Sequence, residues 1–393
     1  MSEVYVLSGV RTAIGDYGGA LKDVAPTTLA SQVLSEAVRR AGVASDAVGH
    51  VVFGNVIHTE PRDMYLARVA ALDGGLAEHT PALTLNRLCG SGLQAVLTAS
   101  DYAANGHADI VVAGGAESMS RALYGMPAAR WGQRMGDTQL IDMMAGALTD
   151  PFGNGHMGIT AENVARLHDV TREQQDGFAL QSHARAARAV AEGRFESQIL
   201  PQTIRKGREN VSFETDEHVR ATLDIAELKK LRPAFLRENG TVTPGNASSI
   251  NDGAAALVLA SERGVREAGS KPLGRLVAYA HAAIDPKVMG LAPIPAVQRV
   301  LERARLKLAD IDVIECNEAF ASQACAVARE LMLDPERLNP NGGAIALGHP
   351  IGATGAILTV KLLYELQRTG GRYGLVTLCI GGGQGIAAIF ARE

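Results

Sequence analysis

Residues 89–115 read CGSGLQAVLTASDYAANGHADIVVAGG, and residues 349–383 read HPIGATGAILTVKLLYELQRTGGRYGLVTLCIGGG. Both begin in a glycine-rich turn at a chemically active side chain, Cys89 or His349. Both continue with a helical pattern, break at glycine (Gly106; Gly370-Gly371), and resume as an apolar strand closed by further glycines (Gly114-Gly115; Gly381-Gly382-Gly383). Glycine ends helices and permits tight turns. The same order of turn, helix, glycine, strand and glycine, met twice, reads as a duplicated strand–helix unit.

The flanking sequence extends that pattern. Apolar strands are expected at 4–8, 50–56 and 82–85, with a helix capped by Thr27 or Thr28 and running to about Arg40 on Leu29, Val33, Leu34 and Val38. Toward the C-terminus, helices are expected at 295–304 and 318–331, with a strand at 311–315 between them. Apolar strands alternating with helices imply an α/β protein whose sheets are covered on both faces. The middle, about 120–250, differs: it carries Trp131, five of the ten methionines and a mixed-charge run from Arg205 to Arg237. It reads as a solvated insertion, in a position where substrate-binding loops are commonly added.

Bulk properties narrow the function. The 393 residues include 43 glycines, 47% hydrophobic residues and only 4% aromatics, which suits a compact α/β chain of two or three domains. A net charge of -4 argues against a nucleic-acid partner. The sequence shows neither a signal-peptide pattern nor a membrane-length apolar run, so a cytoplasmic protein without membrane association is expected. The four cysteines, Cys89, Cys316, Cys325 and Cys379, form no Cys-x-x-Cys pair, and free thiols are expected. Cys316 and Cys325 read as small buried hydrophobes.

Three glycine islands carry the candidate chemistry. Cys89 stands just before a helix, whose positive end would lower a thiol's pKa. The local residues equally allow a structural cysteine. His349, between Gly348 and Pro350, suits a precisely held base or oxyanion donor, although a loop histidine can also be purely structural. Cys379 ends an apolar strand and faces Gly381-Gly382-Gly383-Gln384-Gly385, whose N–H groups could bind an oxyanion. That run is not a dinucleotide fingerprint, because a strand-like segment follows it. One thiol can accept an acyl group while a second moves a proton at a carbon α to a thioester. Hydrolysis needs only one thiol, so the pair points to carbon–carbon chemistry.

The chain resembles the thiolase family along essentially its whole length. The likeness is carried by Arg11-Thr12-Ala13-Ile14-Gly15, Asn86-Arg87-Leu88-Cys89-Gly90-Ser91-Gly92, Gly114-Gly115-Ala116-Glu117-Ser118-Met119-Ser120, His156-Met157-Gly158, Gly245-Asn246-Ala247-Ser248, Asn317-Glu318-Ala319-Phe320, the stretch from Asn341 to Gly355, and Cys379-Ile380-Gly381-Gly382-Gly383. The resemblance implies a five-layered αβαβα fold of two similar halves, residues 1–120 with 250–271 and residues 272–393, with an inserted CoA-binding loop domain at 121–249. It implies that Cys89 is the acylated nucleophile and that His349 activates it. Cys379 would be the acid/base, with Asn317 and Gly381 in two oxyanion holes. His156, Met157, Ala247, Ser248, Met289 and Phe320 would line the substrate and pantetheine path. Arg220 would lie near the CoA nucleotide, although it runs directly into Ala221-Thr222-Leu223, where related enzymes often carry two further residues.

No metal or redox cofactor is implied, since coenzyme A enters as part of the substrate, and a homotetramer is the common assembly. Residues 55–65 look closest to β-ketothiolases of polyhydroxyalkanoate-forming bacteria. The implied reaction is condensation of two acetyl-CoA, with propionyl-CoA as a further substrate. The alternative is a degradative 3-ketoacyl-CoA thiolase of broader chain-length range. A ketoacyl synthase is disfavoured by Cys379, and a non-catalytic lipid-binding relative by the joint presence of Cys89, His349, Cys379 and Asn317.

Overall fold

A computed structural model describes residues 2–393. Nine strands form the main sheet path: β1 Val4–Arg11, β2 His50–Gly54, β3 Ala82–Leu85, β4 Ile110–Ser118, β5 Asn251–Ser261, β6 Gly274–Ala283, β7 Val313–Cys316, β8 Tyr373–Ile380 and β9 Gln384–Arg392. Their spatial order is β7-β8-β9-β6-β1-β5-β4-β2-β3, and a short strand, Gly15–Asp16, pairs with β5.

The order contains the same unit twice. In the first half β1 pairs antiparallel with β5, β5 antiparallel with β4, and β4 parallel with β2, which is parallel to β3. In the second half β6 pairs antiparallel with β9, β9 antiparallel with β8, and β8 parallel with β7, beside which Ile314 makes a parallel bridge to Leu338. The halves join where β1 meets β6 at Tyr5–Arg275 and Val6–Gly274. The two units differ in one connection. In the second half only residues 381–383 separate β8 from β9, whereas residues 119–250 separate β4 from β5 in the first.

Helices complete five layers. Helix α1, Pro26–Ala41, covers the outer face of the first half, and α2, Ser91–Ala104, covers its inner face. Helix α3, Pro293–Ala304, covers the outer face of the second half, and α4, Thr354–Thr369, lies between the two halves of the sheet against α2. The central layer is close-packed because glycines line the crossing. A Cβ at Gly92 would come within 2.6 Å of the Ala356 backbone nitrogen, and one at Gly355 would collide with that of Leu93. These glycines therefore serve close contact between the two helices.

Three local expectations are corrected. The first residue of α1 is Pro26, its N-cap is Ala25, and no side chain caps it; the Thr27 hydroxyl finds no partner. Pro26 instead starts the helix by presetting φ and removing one unpaired N–H, and it accepts no capping hydrogen bond. The inserted segment is also more than a solvated loop. Its helices Met157–Leu167 and Arg172–Ala191 bury one face, and Asp216 makes a bidentate pair with fully buried Arg11 on β1. Toward its start it exposes apolar side chains, including Trp131 at 85% and Met135 at 92%. Cys316 is buried as expected, but Cys325 is only half-buried. Among the described residues, no helix is long and apolar enough to cross a membrane.

Candidate active site

The turn from β3 into α2 presents Cys89. Leu88 adopts a left-handed φ of 46°, held by its N–H donating to Asn86 Oδ1 (2.8 Å), while Ser91 Oγ donates to the Leu88 carbonyl (2.7 Å). A branched residue in that region is strained, and such strain marks turns that aim a functional group. The Cys89 thiol is half-buried, and the N–H groups of Gly381 and of Cys89 itself donate toward its sulfur. Burial nevertheless pushes the thiol up to about 11. The dipole-lowered value expected from sequence is therefore wrong. The cost of charging sulfur in an apolar wall exceeds what two N–H groups and a helix end return, and the resting group is a thiol.

His349 supplies a base whose tautomer the surrounding groups fix. The preceding Gly348 has φ 108°, and a Cβ there would run into the Asn251 side chain, whose Oδ1 accepts the His349 N–H at 2.8 Å. Thr354 Oγ1 donates to the Pro350 carbonyl (2.9 Å) and lies 2.7 Å from His349 Nδ1. With its only proton committed to a carbonyl, the hydroxyl must accept from Nδ1–H. Nε2 is then the free lone pair, and the Asn317 amide nitrogen lies 3.3 Å from it. Burial lowers the imidazole to about 4, so it is neutral near pH 7.

Cys379, at the end of β8, is buried, and its pKa is raised well above the usual thiol value by burial and then by neighbouring Cys89 and Cys316. Cys89, His349, Cys379 and Gly381 line one cavity of about 280 Å³. Its walls form two apolar clusters. Beside Cys89 stand Ile57, Met119 and Ile351, with Ala147, Leu148 and Ile250 packed around them. Beside Cys379 stand Met157, Ala247, Met289 and Phe320, with Phe235 against them. His156 caps the helix Met157–Leu167 by accepting the Gly158 N–H at 3.0 Å, and its ring stacks on Phe235 at 4.7 Å. Backbone contacts clip the segment around Ala247 and Ser248 onto the loop before Phe320: Ser248 N–H donates to the Ala319 carbonyl (3.0 Å) and Ala321 N–H to that of Asn246 (2.8 Å).

The expected residues Cys89, His349, Cys379, Gly381, His156, Met157, Ala247, Ser248, Met289 and Phe320 thus share one cavity. Asn317 touches His349 but lines a separate small cavity behind it. Arg220 is exposed and outside both, with its backbone N–H donating to His183 Nδ1 at 3.2 Å.

Several supporting residues had been assigned no role. Fully buried Glu117 accepts from Asn55 Nδ2, Val56 N, Ile57 N and Gly352 N, tying the two halves together. Burial pushes its carboxyl up to about 8, but four N–H donors converging on two oxygens favour the carboxylate, and on that geometry it is ionised. A charged residue inside the apolar run 110–118 is the signal that could have revealed it. Glu318 accepts from Ser182, Asn339 and Ile345, fixing the loop that carries Asn317. Nothing in the local sequence marks Thr354 or Asn251 as partners of His349.

Duplicated halves, an inserted wall and a cavity with two thiols beside a neutral imidazole define an acyl-transfer enzyme of the carbon–carbon type. The chain belongs to the thiolase family: residues 4–263 match the thiolase N-terminal domain and residues 270–392 the thiolase C-terminal domain. It is 61% identical to beta-ketothiolase BktB of Cupriavidus necator over 99% of both chains. It is 47% identical to the acetyl-CoA acetyltransferase of Syntrophomonas wolfei over 98% of both. Among solved structures it superposes on Bacillus anthracis acetyl-CoA acetyltransferase with a TM-score of 0.97 at 44% identity, covering 100% of this chain and 99% of that one. Human mitochondrial 3-ketoacyl-CoA thiolase in complex with CoA gives 0.96 at 42% identity, covering 100% and 98%.

Proposed function

We propose that the protein is a short-chain β-ketothiolase that interconverts two acetyl-CoA with acetoacetyl-CoA and CoA. The observation that carries this reading is the cavity shared by Cys89, His349 and Cys379. Both thiols rest protonated, which suits the thiolysis direction. His349 Nε2 takes the Cys89 proton as sulfur attacks the 3-keto carbon, and the N–H groups of Cys89 and Gly381 face the oxygen that gains charge. The carbon–carbon bond breaks, and Cys379–SH gives its proton to the departing α-carbon. The first acetyl-CoA leaves, with Cys379 as thiolate and Cys89 acetylated. CoA–SH then gives its proton to Cys379 and attacks the acetyl-cysteine. A second acetyl-CoA departs, and the proton on His349 returns to Cys89. Condensation is the reverse sequence. Asn317, beside Nε2, holds a water in the hole that binds the enolate oxygen. The scheme uses no metal or redox cofactor.

The names of the relatives, β-ketothiolase and acetyl-CoA acetyltransferase, support short-chain condensation over the degradative alternative. The cluster around Cys89 gives an acyl group an apolar wall, and propionyl is the longer substrate we propose. Likeness at residues 55–65 to enzymes of polyhydroxyalkanoate-forming bacteria supports a role in supplying that synthesis. The exposed apolar side chains Leu123, Tyr124, Trp131 and Met135 support assembly into a homotetramer that covers them. Inserted-segment side chains, including Arg220 outside the cavity, are proposed to hold CoA.

Purified protein should cleave acetoacetyl-CoA with CoA. Cys89→Ala should abolish acylation, whereas Cys379→Ser should spare acetylation of Cys89 by acetyl-CoA and block α-hydrogen exchange. Full thiolysis by Cys379→Ser would exclude the two-thiol scheme, and a series of 3-ketoacyl-CoA lengths measures the acyl limit.

A further inference from the structure

Behind Asn317 lies a buried charge pair that the reaction scheme does not use. Lys361, on the central helix α4, is 2% exposed. Its Nζ donates to Glu315 Oε2 at 2.7 Å and to the Gly342 carbonyl at 2.8 Å. An ammonium has three donors, and the third finds no acceptor among the described residues. Two neighbouring acceptors are likewise buried and unpaired, Glu315 Oε1 and Asn317 Oδ1. Lys361, Asn317 and Thr354 line a cavity of about 10 Å³. That is about the volume that holds one water, and buried waters sit where several unpaired polar groups converge.

We propose that Lys361 is a positioning residue which, through one buried water, fixes the orientation of the Asn317 amide. The water accepts from Lys361 Nζ and donates to Asn317 Oδ1. The amide oxygen is thereby held toward the rear cavity, and the amide nitrogen toward His349 Nε2 and the water of the enolate hole. An inverted amide would set its oxygen against the Nε2 lone pair and against the developing negative charge. Glu315 anchors the Lys361 head group through its 2.7 Å contact. It precedes Cys316, the last residue of β7, and Asn317 just beyond it, while Lys361 shares α4 with Thr354, the partner of His349 Nδ1. Asn317 and His349 are thus referenced to the same helix.

This inference rests on the proposed role of Asn317 in enolisation, and the test separates the two. Exchange of acetyl-CoA methyl hydrogens with deuterated water reports enolisation, and the burst of free CoA released on mixing with acetyl-CoA reports Cys89 acylation, which passes through no enolate. Lys361→Met should slow exchange about tenfold or more, in the range seen when an outer-shell partner is lost, and change acylation less than about twofold. Because Lys361→Met strands Glu315 and can compromise folding, the pair variant Glu315→Leu/Lys361→Met is measured alongside and should show the same selective loss. In an Asn317→Ala background, Lys361→Met should cost nothing more. Equal slowing of exchange and acylation, or multiplication of the two effects, overturns the positioning role. Normal exchange in Asn317→Ala instead overturns the role of Asn317 and this inference with it.

Discussion

Thr354→Val tests the claim that one hydroxyl sets the protonation pattern of the catalytic imidazole. Valine matches threonine in shape but cannot accept the Nδ1 proton, now 2.7 Å from Oγ1. His349 is buried, so no bulk water replaces the lost acceptor. A buried donor left unpaired costs about 1–3 kcal/mol. That penalty falls on the Nδ1–H tautomer alone, because the alternative tautomer carries its proton on Nε2, toward the reactive cavity. At about 1.4 kcal/mol per factor of ten, the population with a free Nε2 lone pair should fall about tenfold, within a range of about 5- to 150-fold. The acylation rate of Cys89 should fall by the same factor, since its raised thiol pKa makes it dependent on that base. Rapid-mixing measurement of the acylation burst reads this directly, with thermal unfolding as a check on integrity. Thr354→Ser restores the acceptor and should recover most of the rate. Wild-type acylation in Thr354→Val, or an equal loss in Thr354→Ser, refutes the tautomer argument.

Buried groups and glycine contacts set the remaining outcomes. With His349 lowered to about 4, acylation should hold its rate down to about pH 5 and decline below; an acid limb near pH 6.5 would contradict the burial effect. The same depression makes the unfolded state bind more protons between about pH 6.5 and 4, so its stabilising contribution, complete above pH 6.5, is lost on acidification. This amounts to about 3 kcal/mol, and His349→Phe should flatten the slope of urea stability against pH in that window. Glu117→Gln sets an amide NH₂ against N–H donors that the carboxylate now satisfies, and should cost about 2–4 kcal/mol in urea unfolding. Gly355→Ala should destabilise by at least about 1–3 kcal/mol by forcing α2 and α4 apart. Gly177→Ala, in an exposed helix position with open space around it, should stabilise by about 1 kcal/mol, and calorimetry distinguishes the two.

The duplicated α/β architecture was legible in the sequence because its signals are local. Periodicity of apolar residues and the stops at Gly106 and Gly370 act within one or two turns of chain, and they placed α2, α4, β4 and β8 to within a few residues. The residue types at the three glycine islands likewise declared acyl chemistry before any contact was known. What the sequence could not supply is everything that depends on what packs against what. A helix start after Cys89 predicts a lowered thiol pKa, but burial against Met119 and Ile351 raises it, because desolvation belongs to the assembled wall. Gly92 and Gly355 read as turn glycines beside Cys89 and His349, yet each makes room for the other's helix. Thr354, Glu117 and Lys361 carry no local mark of function. Thr354 lies five residues from the imidazole it orients, while Gly352, 235 residues from Glu117, and Glu315, 46 residues from Lys361, supply partners across the fold. The sequence by itself determined the repeated scaffold and the reactive atoms. Only the tertiary structure decided their protonation states, their tautomer and their mutual reach, because those are set by dielectric surroundings and hydrogen-bond partners that distant segments bring together.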